Sequence, residues 1–137
     1  MSRALVTVLK VLGVVVALVI LGAGYVTYSL STPLKTVRFS NGTAGAFAIG
    51  ETKETILSRL PDETFSPRPK PMECPKNWIK VANMNATEKA CLLSTDTWME
   101  GISSTRSACP ENTDVNTELR FKNGKLSEVV TECWRPK

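Results

Sequence analysis

From Val11 to Leu30 the chain reads VLGVVVALVILGAGYVTYSL, and no charged residue interrupts it between Lys10 and Lys35. About 20 apolar residues at a helical rise of about 1.5 Å match a hydrocarbon core of roughly 30 Å. In lipid the backbone must hydrogen-bond to itself, so a helix is expected. A signal-peptide core is shorter and ends at a small-x-small site. Here Tyr25, Tyr28 and Leu30 carry the apolar character past Ala23 and Gly24. The reading is an uncleaved single-pass anchor over 11–30, behind a short cytoplasmic lead over 1–10.

The polar remainder follows the span. Of the 17 lysines and arginines only Arg3 and Lys10 precede it, so 15 basic and all 13 acidic residues lie beyond, a balance of about +2 with no basic tract. That argues against nucleic-acid binding. The chain has no histidine, which removes the commonest general base and the commonest zinc ligand. Its four cysteines, Cys74, Cys91, Cys109 and Cys133, are widely spaced and form no CxxC pair. Two disulfides fit this pattern better than a metal site. Three pairings are possible. Cys74 with Cys91 and Cys109 with Cys133 is preferred, because it ties a proline-rich arm to a sheet and a long loop to the last strand. Disulfides require an oxidising compartment, and the cations ahead of the span agree weakly. The expected location is a bacterial inner membrane, with the C-terminal domain in the periplasm.

Residues 31–46 read as a linker with one short strand near Thr36–Phe39, and 47–137 as a single α+β domain. Thr52 caps a helix, Glu54 suits its first turn, and Pro61 stops it. Five prolines, Pro61, Pro67, Pro69, Pro71 and Pro75, make 61–75 an extended surface arm unsuited to a central strand. Candidate strands follow at Trp78–Ala82 and Cys91–Met99, with a polar turn or a single helical turn over Asn85–Lys89. Asn123-Gly124 between two alternating runs marks a hairpin in which Lys122 faces Lys125 and Phe121 faces Leu126. The expected architecture is one helix packed on three or four antiparallel strands, stapled by disulfides.

No residue pattern signals catalysis. There is no GxSxG, P-loop or HExxH. The acidic residues Asp62, Glu63, Glu73, Glu88, Asp96, Glu100, Glu111 and Asp114 are scattered and read as solvated surface charge. Ser103-Ser104-Thr105 reads as a loop. No catalytic, cofactor or metal site is expected, and no small-molecule substrate. The candidate partner-binding residues are Phe65 and Met72 on the arm and the tryptophans Trp78, Trp98 and Trp134, one or two of which the core needs.

Ile49-Gly50-Glu51-Thr52-Lys53-Glu54-Thr55-Ile56-Leu57 and Leu119-Arg120-Phe121-Lys122-Asn123-Gly124-Lys125-Leu126 together resemble the helix start and hairpin of the SmpA/OmlA (BamE-like) small envelope domains. The chain departs from them in having an apolar span in place of a lipidated cysteine, a proline-rich arm and four cysteines. The resemblance implies a non-enzymatic envelope protein that works by protein–protein contact. The expected function is a membrane-anchored binding module whose partner is another envelope or effector protein, as an assembly accessory or an inhibitor or immunity-type protein. The alternative is an accessory subunit of a larger inner-membrane complex that assembles through its helix.

Overall fold

The computed structural model describes residues 3–137, so Met1 and Ser2 of the expected lead lie outside the described residues. The chain divides into two units after Pro33. The first is helix α1, Arg3–Ser31, long and apolar enough to cross a membrane. At about 1.5 Å per residue its 29 residues extend for about 43 Å. Its few hydroxyls turn back onto their own helix: Thr7 donates to Arg3 O and Thr27 to Ala23 O, both at 3.0 Å. Such back-bonding satisfies a polar side chain where water is absent.

The second unit, Leu34–Lys137, is α+β. Its elements are β1 (Lys35–Phe39), β2 (Thr43–Ala44), β3 (Phe47–Ala48), α2 (Lys53–Arg59), β4 (Thr64–Pro67), β5 (Ile79–Lys80), α3 (Ala86–Ser94), β6 (Thr97–Glu100), β7 (Asp114–Lys122) and β8 (Lys125–Trp134). Six strands form one antiparallel sheet in the order β1-β8-β7-β6-β4-β5, and β2-β3 make a separate small hairpin. The sheet is larger than the three or four strands expected, for two reasons. The segment read as a linker supplies β1, which pairs along β8 from Lys35↔Cys133 to Phe39↔Val129. The proline-rich segment supplies β4, an interior strand between β6 and β5. Pro67 is tolerated there because its missing N–H faces the β5 side beyond Ile79, where that pairing has already ended.

The local signals act as chemistry requires. The Thr52 hydroxyl accepts the Thr55 N–H at 3.2 Å and starts α2. Asn123 and Gly124 both take positive φ, 54° and 74°, and turn β7 into β8 with Lys122 opposite Lys125 and Phe121 opposite Leu126. The expected strand over Cys91–Met99 is instead the end of α3, a turn at Thr95–Asp96, and β6. A capping box decides this. Asn85 Oδ1 accepts the Glu88 N–H at 2.8 Å, and Glu88 Oε2 accepts the Asn85 N–H at 3.0 Å.

One face of the sheet carries the core. Phe65, Trp98, Leu119, Phe121 and Val129 alternate inward and meet Ile56 and Leu57 of α2, Leu92 of α3 and Phe47 of β3. Four aromatic rings run across it, with centroids 6.2 Å apart for Phe47–Phe65, 5.3 Å for Phe65–Trp98 and 4.5 Å for Trp98–Phe121. The opposite face is polar. There Arg120 bridges Glu118 and Glu128, and Arg38 reaches Glu128 at 3.3 Å.

Replacing Asn85 by Ala removes one half of the capping box. Urea denaturation is expected to show a loss of about 1 kcal/mol, with reduced amide protection confined to the first turn of α3.

Candidate functional site

The most distinctive surface is the excursion between β4 and β5. It leaves the sheet through Arg68, whose N–H donates to Thr97 O at 2.8 Å. It turns at Pro71–Cys74, where the Cys74 N–H donates to Pro71 O at 3.1 Å. It returns at Ile79, paired with Phe65. Prolines at 69, 71 and 75 restrict the backbone between these points.

Two contacts pin the excursion to α3. The first is covalent, Cys74–Cys91. The second is an ion pair, with Lys76 Nζ 2.9 Å from Glu88 Oε1. The Lys76 ammonium first, and the Asn85 N–H second, hold the Glu88 carboxyl below its ordinary value. Glu88 is 2 % exposed, so the expectation of a solvated carboxylate does not hold for it. The other disulfide, Cys109–Cys133, ties the loop between β6 and β7 to the end of β8. Both pairs are the preferred ones, and no cysteine is free among the described residues.

The five candidate partner-binding residues separate cleanly. Phe65 and Trp98 are completely buried in the aromatic row and have no surface to present. The Trp98 indole N–H donates to Leu92 O at 2.8 Å, which ties α3 to the sheet. Met72 is 100 % exposed at the tip of the turn, and Trp78 is 43 % exposed where the chain re-enters the sheet. Trp134 is half-buried on β8, and its indole nitrogen is shielded without a hydrogen-bond partner. Strands β7, β6 and β4 lie between β8 and β5, a separation of about 19 Å at the usual strand spacing. The structure therefore brings Met72 and Trp78 onto one excursion and leaves Trp134 elsewhere.

Charge concentrates on the same segment. Between residues 68 and 80 lie Arg68, Lys70, Lys76 and Lys80 against one acid, Glu73. That segment is +3, and the rest of the domain, with 11 basic and 12 acidic residues, is −1. The positive balance of the domain is the charge of this loop.

Three buried ionisable groups escaped the sequence reading. Besides Glu88, Glu100 is buried beside Thr117 of β7. Lys53 is buried with its ammonium 3.0 Å from both Asp96 Oδ1 and Leu93 O, and 5.3 Å from the centre of the Phe121 ring. A usable signal existed for Glu100. In strand alternation it shares a face with Trp98, which marks that face as the core side. No local pattern reveals Lys53, whose partners are distant in sequence. Among the described residues no group of three or more Cys, Asp or Glu side chains is placed to hold a metal ion.

No family model, no curated protein and no solved structure matches this chain.

Replacing both Cys74 and Cys91 by Ser opens a loop with a sequence separation of 17. The expected cost is about 3 kcal/mol, measured by denaturant unfolding. Amide exchange should rise first over 68–78 while β7 and β8 stay protected.

Proposed function

We propose that this chain is a non-enzymatic binding module anchored by a single membrane-spanning helix, which engages a protein partner through the pinned β4–β5 excursion. We assign the domain to an oxidising compartment, the periplasm of a bacterial inner-membrane protein, because its two cystines need one. The observation that carries the binding reading is Met72, a wholly exposed apolar side chain on a loop fixed by Cys74–Cys91 and by Lys76–Glu88. Prior immobilisation matters for affinity. A loop already held by a cystine, an ion pair and prolines loses little conformational entropy on docking. The flanking cations select the partner's chemistry, an acidic surface with an apolar recess for Met72 and an aromatic-compatible edge for Trp78.

An envelope assembly accessory and an immunity-type inhibitor both use such a contact. The resemblance to SmpA/OmlA domains, carried by the α2 start and the β7–β8 turn, supports the same class. The remainder of the domain offers less to a partner. The open sheet face satisfies its charges internally through Arg38, Glu118, Arg120 and Glu128. The exposed edge strand β1 carries Lys35 and Arg38, the kind of side chains that discourage strand addition.

A photo-crosslinking residue in place of Met72, activated in intact membranes, is expected to yield a defined protein adduct. Changing Arg68 and Lys70 to Glu in that background should reduce the adduct at least tenfold. Adducts formed from position 16 in the helix and absent from position 72 would favour the subunit that assembles through its span, and would overturn the binding reading.

A further inference from the structure

We propose that Met72 is a reversible oxidation site, and that converting its thioether to the sulfoxide switches off the contact made by the β4–β5 excursion. The switch rests on the binding reading of that excursion; the oxidation site itself does not.

Selectivity comes from what the fold leaves open. Two-electron oxidants such as hydrogen peroxide act on sulfur, as thiol or as thioether. All four cysteines are paired, and none is free among the described residues. That leaves methionine. The chain has four, of which Met1 lies outside the described residues. Met84 is partly buried against the core. Met99 is partly buried on β6, flanked by Ser66 of β4 and Glu118 of β7. Met72 alone of these three is wholly exposed. An oxidant reaches its sulfur without any opening of the structure, whereas the other two are shielded in part by their neighbours.

The step needs only the peroxide. A lone pair on the Met72 sulfur attacks one peroxide oxygen, and the S–O bond forms as the O–O bond breaks. The departing hydroxide takes the proton left on the transferred oxygen and leaves as water. Sulfur loses two electrons and the peroxide gains them.

The product differs from the thioether in the one property the contact uses. A flexible apolar side chain becomes a polar, chiral one. In an apolar recess the new oxygen would be buried without a donor, which is costly. The loop itself is insensitive. Met72 is fully solvated, so its oxidation removes no packing from the domain. The Cys74–Cys91 bond is already oxidised. The Lys76–Glu88 ion pair and the Cys74 N–H bond to Pro71 O involve no oxidisable sulfur. One loop shape therefore presents either an apolar or a polar tip. Exposure also makes the change reversible, because reductases specific for each sulfoxide epimer can reach the same side chain.

The site is tested on the full chain in detergent micelles, treated with hydrogen peroxide and followed by digestion and mass spectrometry. Met72 is expected to oxidise at least about tenfold faster than Met84 or Met99, with amide exchange over 68–78 unchanged. The switch is tested in membranes, with a photo-crosslinking residue in place of Asn77, which is exposed on the same excursion. Peroxide treatment that converts Met72 fully should lower the adduct by about tenfold or more, and methionine sulfoxide reductases acting on both epimers should restore it. In Met72→Leu, whatever its starting yield, the same treatment should leave the adduct unchanged, which separates oxidation of Met72 from oxidation of the partner. Oxidation of Met84 or Met99 as fast as Met72 would overturn the site. An adduct that persists through complete oxidation of Met72, that the reductases fail to restore, or that falls equally in Met72→Leu would overturn the switch and leave the binding reading standing. Absence of any adduct from positions 72 and 77 before treatment would overturn the binding reading and the switch together.

Discussion

The indole of Trp98 is the contact on which the domain converges. Its ring packs between Phe65 and Phe121, and its N–H closes onto Leu92 O. Through that one side chain β4, β6, β7 and α3 are held together. Fully burying a large aromatic ring removes about 150–250 Å² from water, more than any other single side chain type contributes. The indole donor is equally consequential. Without Leu92 O it would be a buried unsatisfied group, and α3 would lose a side-chain bond from β6. Around this centre Lys53 and the hydroxyl of Thr105 are buried polar groups with partners. Lys53 reaches Asp96 and Leu93 O, and Thr105 bonds both Thr117 and Thr131.

The two cystines act at the margins of this core. Cys109–Cys133 joins the long loop to β8, where the buried hydroxyl group of three threonines also sits. Cys74–Cys91 is itself buried against the core and holds an excursion whose tip, Met72, is fully solvated. The same bond therefore has two consequences. It compensates for a small core, and it presents Met72 and its neighbouring cations in a fixed form. Rigid presentation of an apolar tip on a basic loop, on a chain that also carries a membrane-length helix, is the physical content of the binding proposal.

Much of this was legible in the residues. Asn123-Gly124 turned β7 into β8 in the expected register, Thr52 and Pro61 bounded α2, and cysteine spacing indicated both disulfides. The failures share a cause. Cys91-Leu92-Leu93 is apolar enough to read as a strand, and only the reciprocal Asn85–Glu88 cap shows that it is helical. The segment Thr64–Pro67 looked excluded from a sheet interior, because whether a proline is tolerated depends on which neighbour its nitrogen faces, a property of register. Glu100 looked solvated because Ser104, which donates to it, approaches only after the chain has folded, and Lys53 drew no reading because Asp96 is distant in sequence. The arm residues Phe65 and Met72 looked alike in sequence. Strand alternation buried the first, and the turn at Pro71–Cys74 exposed the second.

The account rests on a domain that is oxidised where it works. Thiols trapped with iodoacetamide in intact membranes, followed by digestion without reductant and mass spectrometry, test this most directly. The account predicts peptides linked Cys74–Cys91 and Cys109–Cys133 with no alkylated cysteine. Recovery of all four cysteines as alkylated thiols would contradict it.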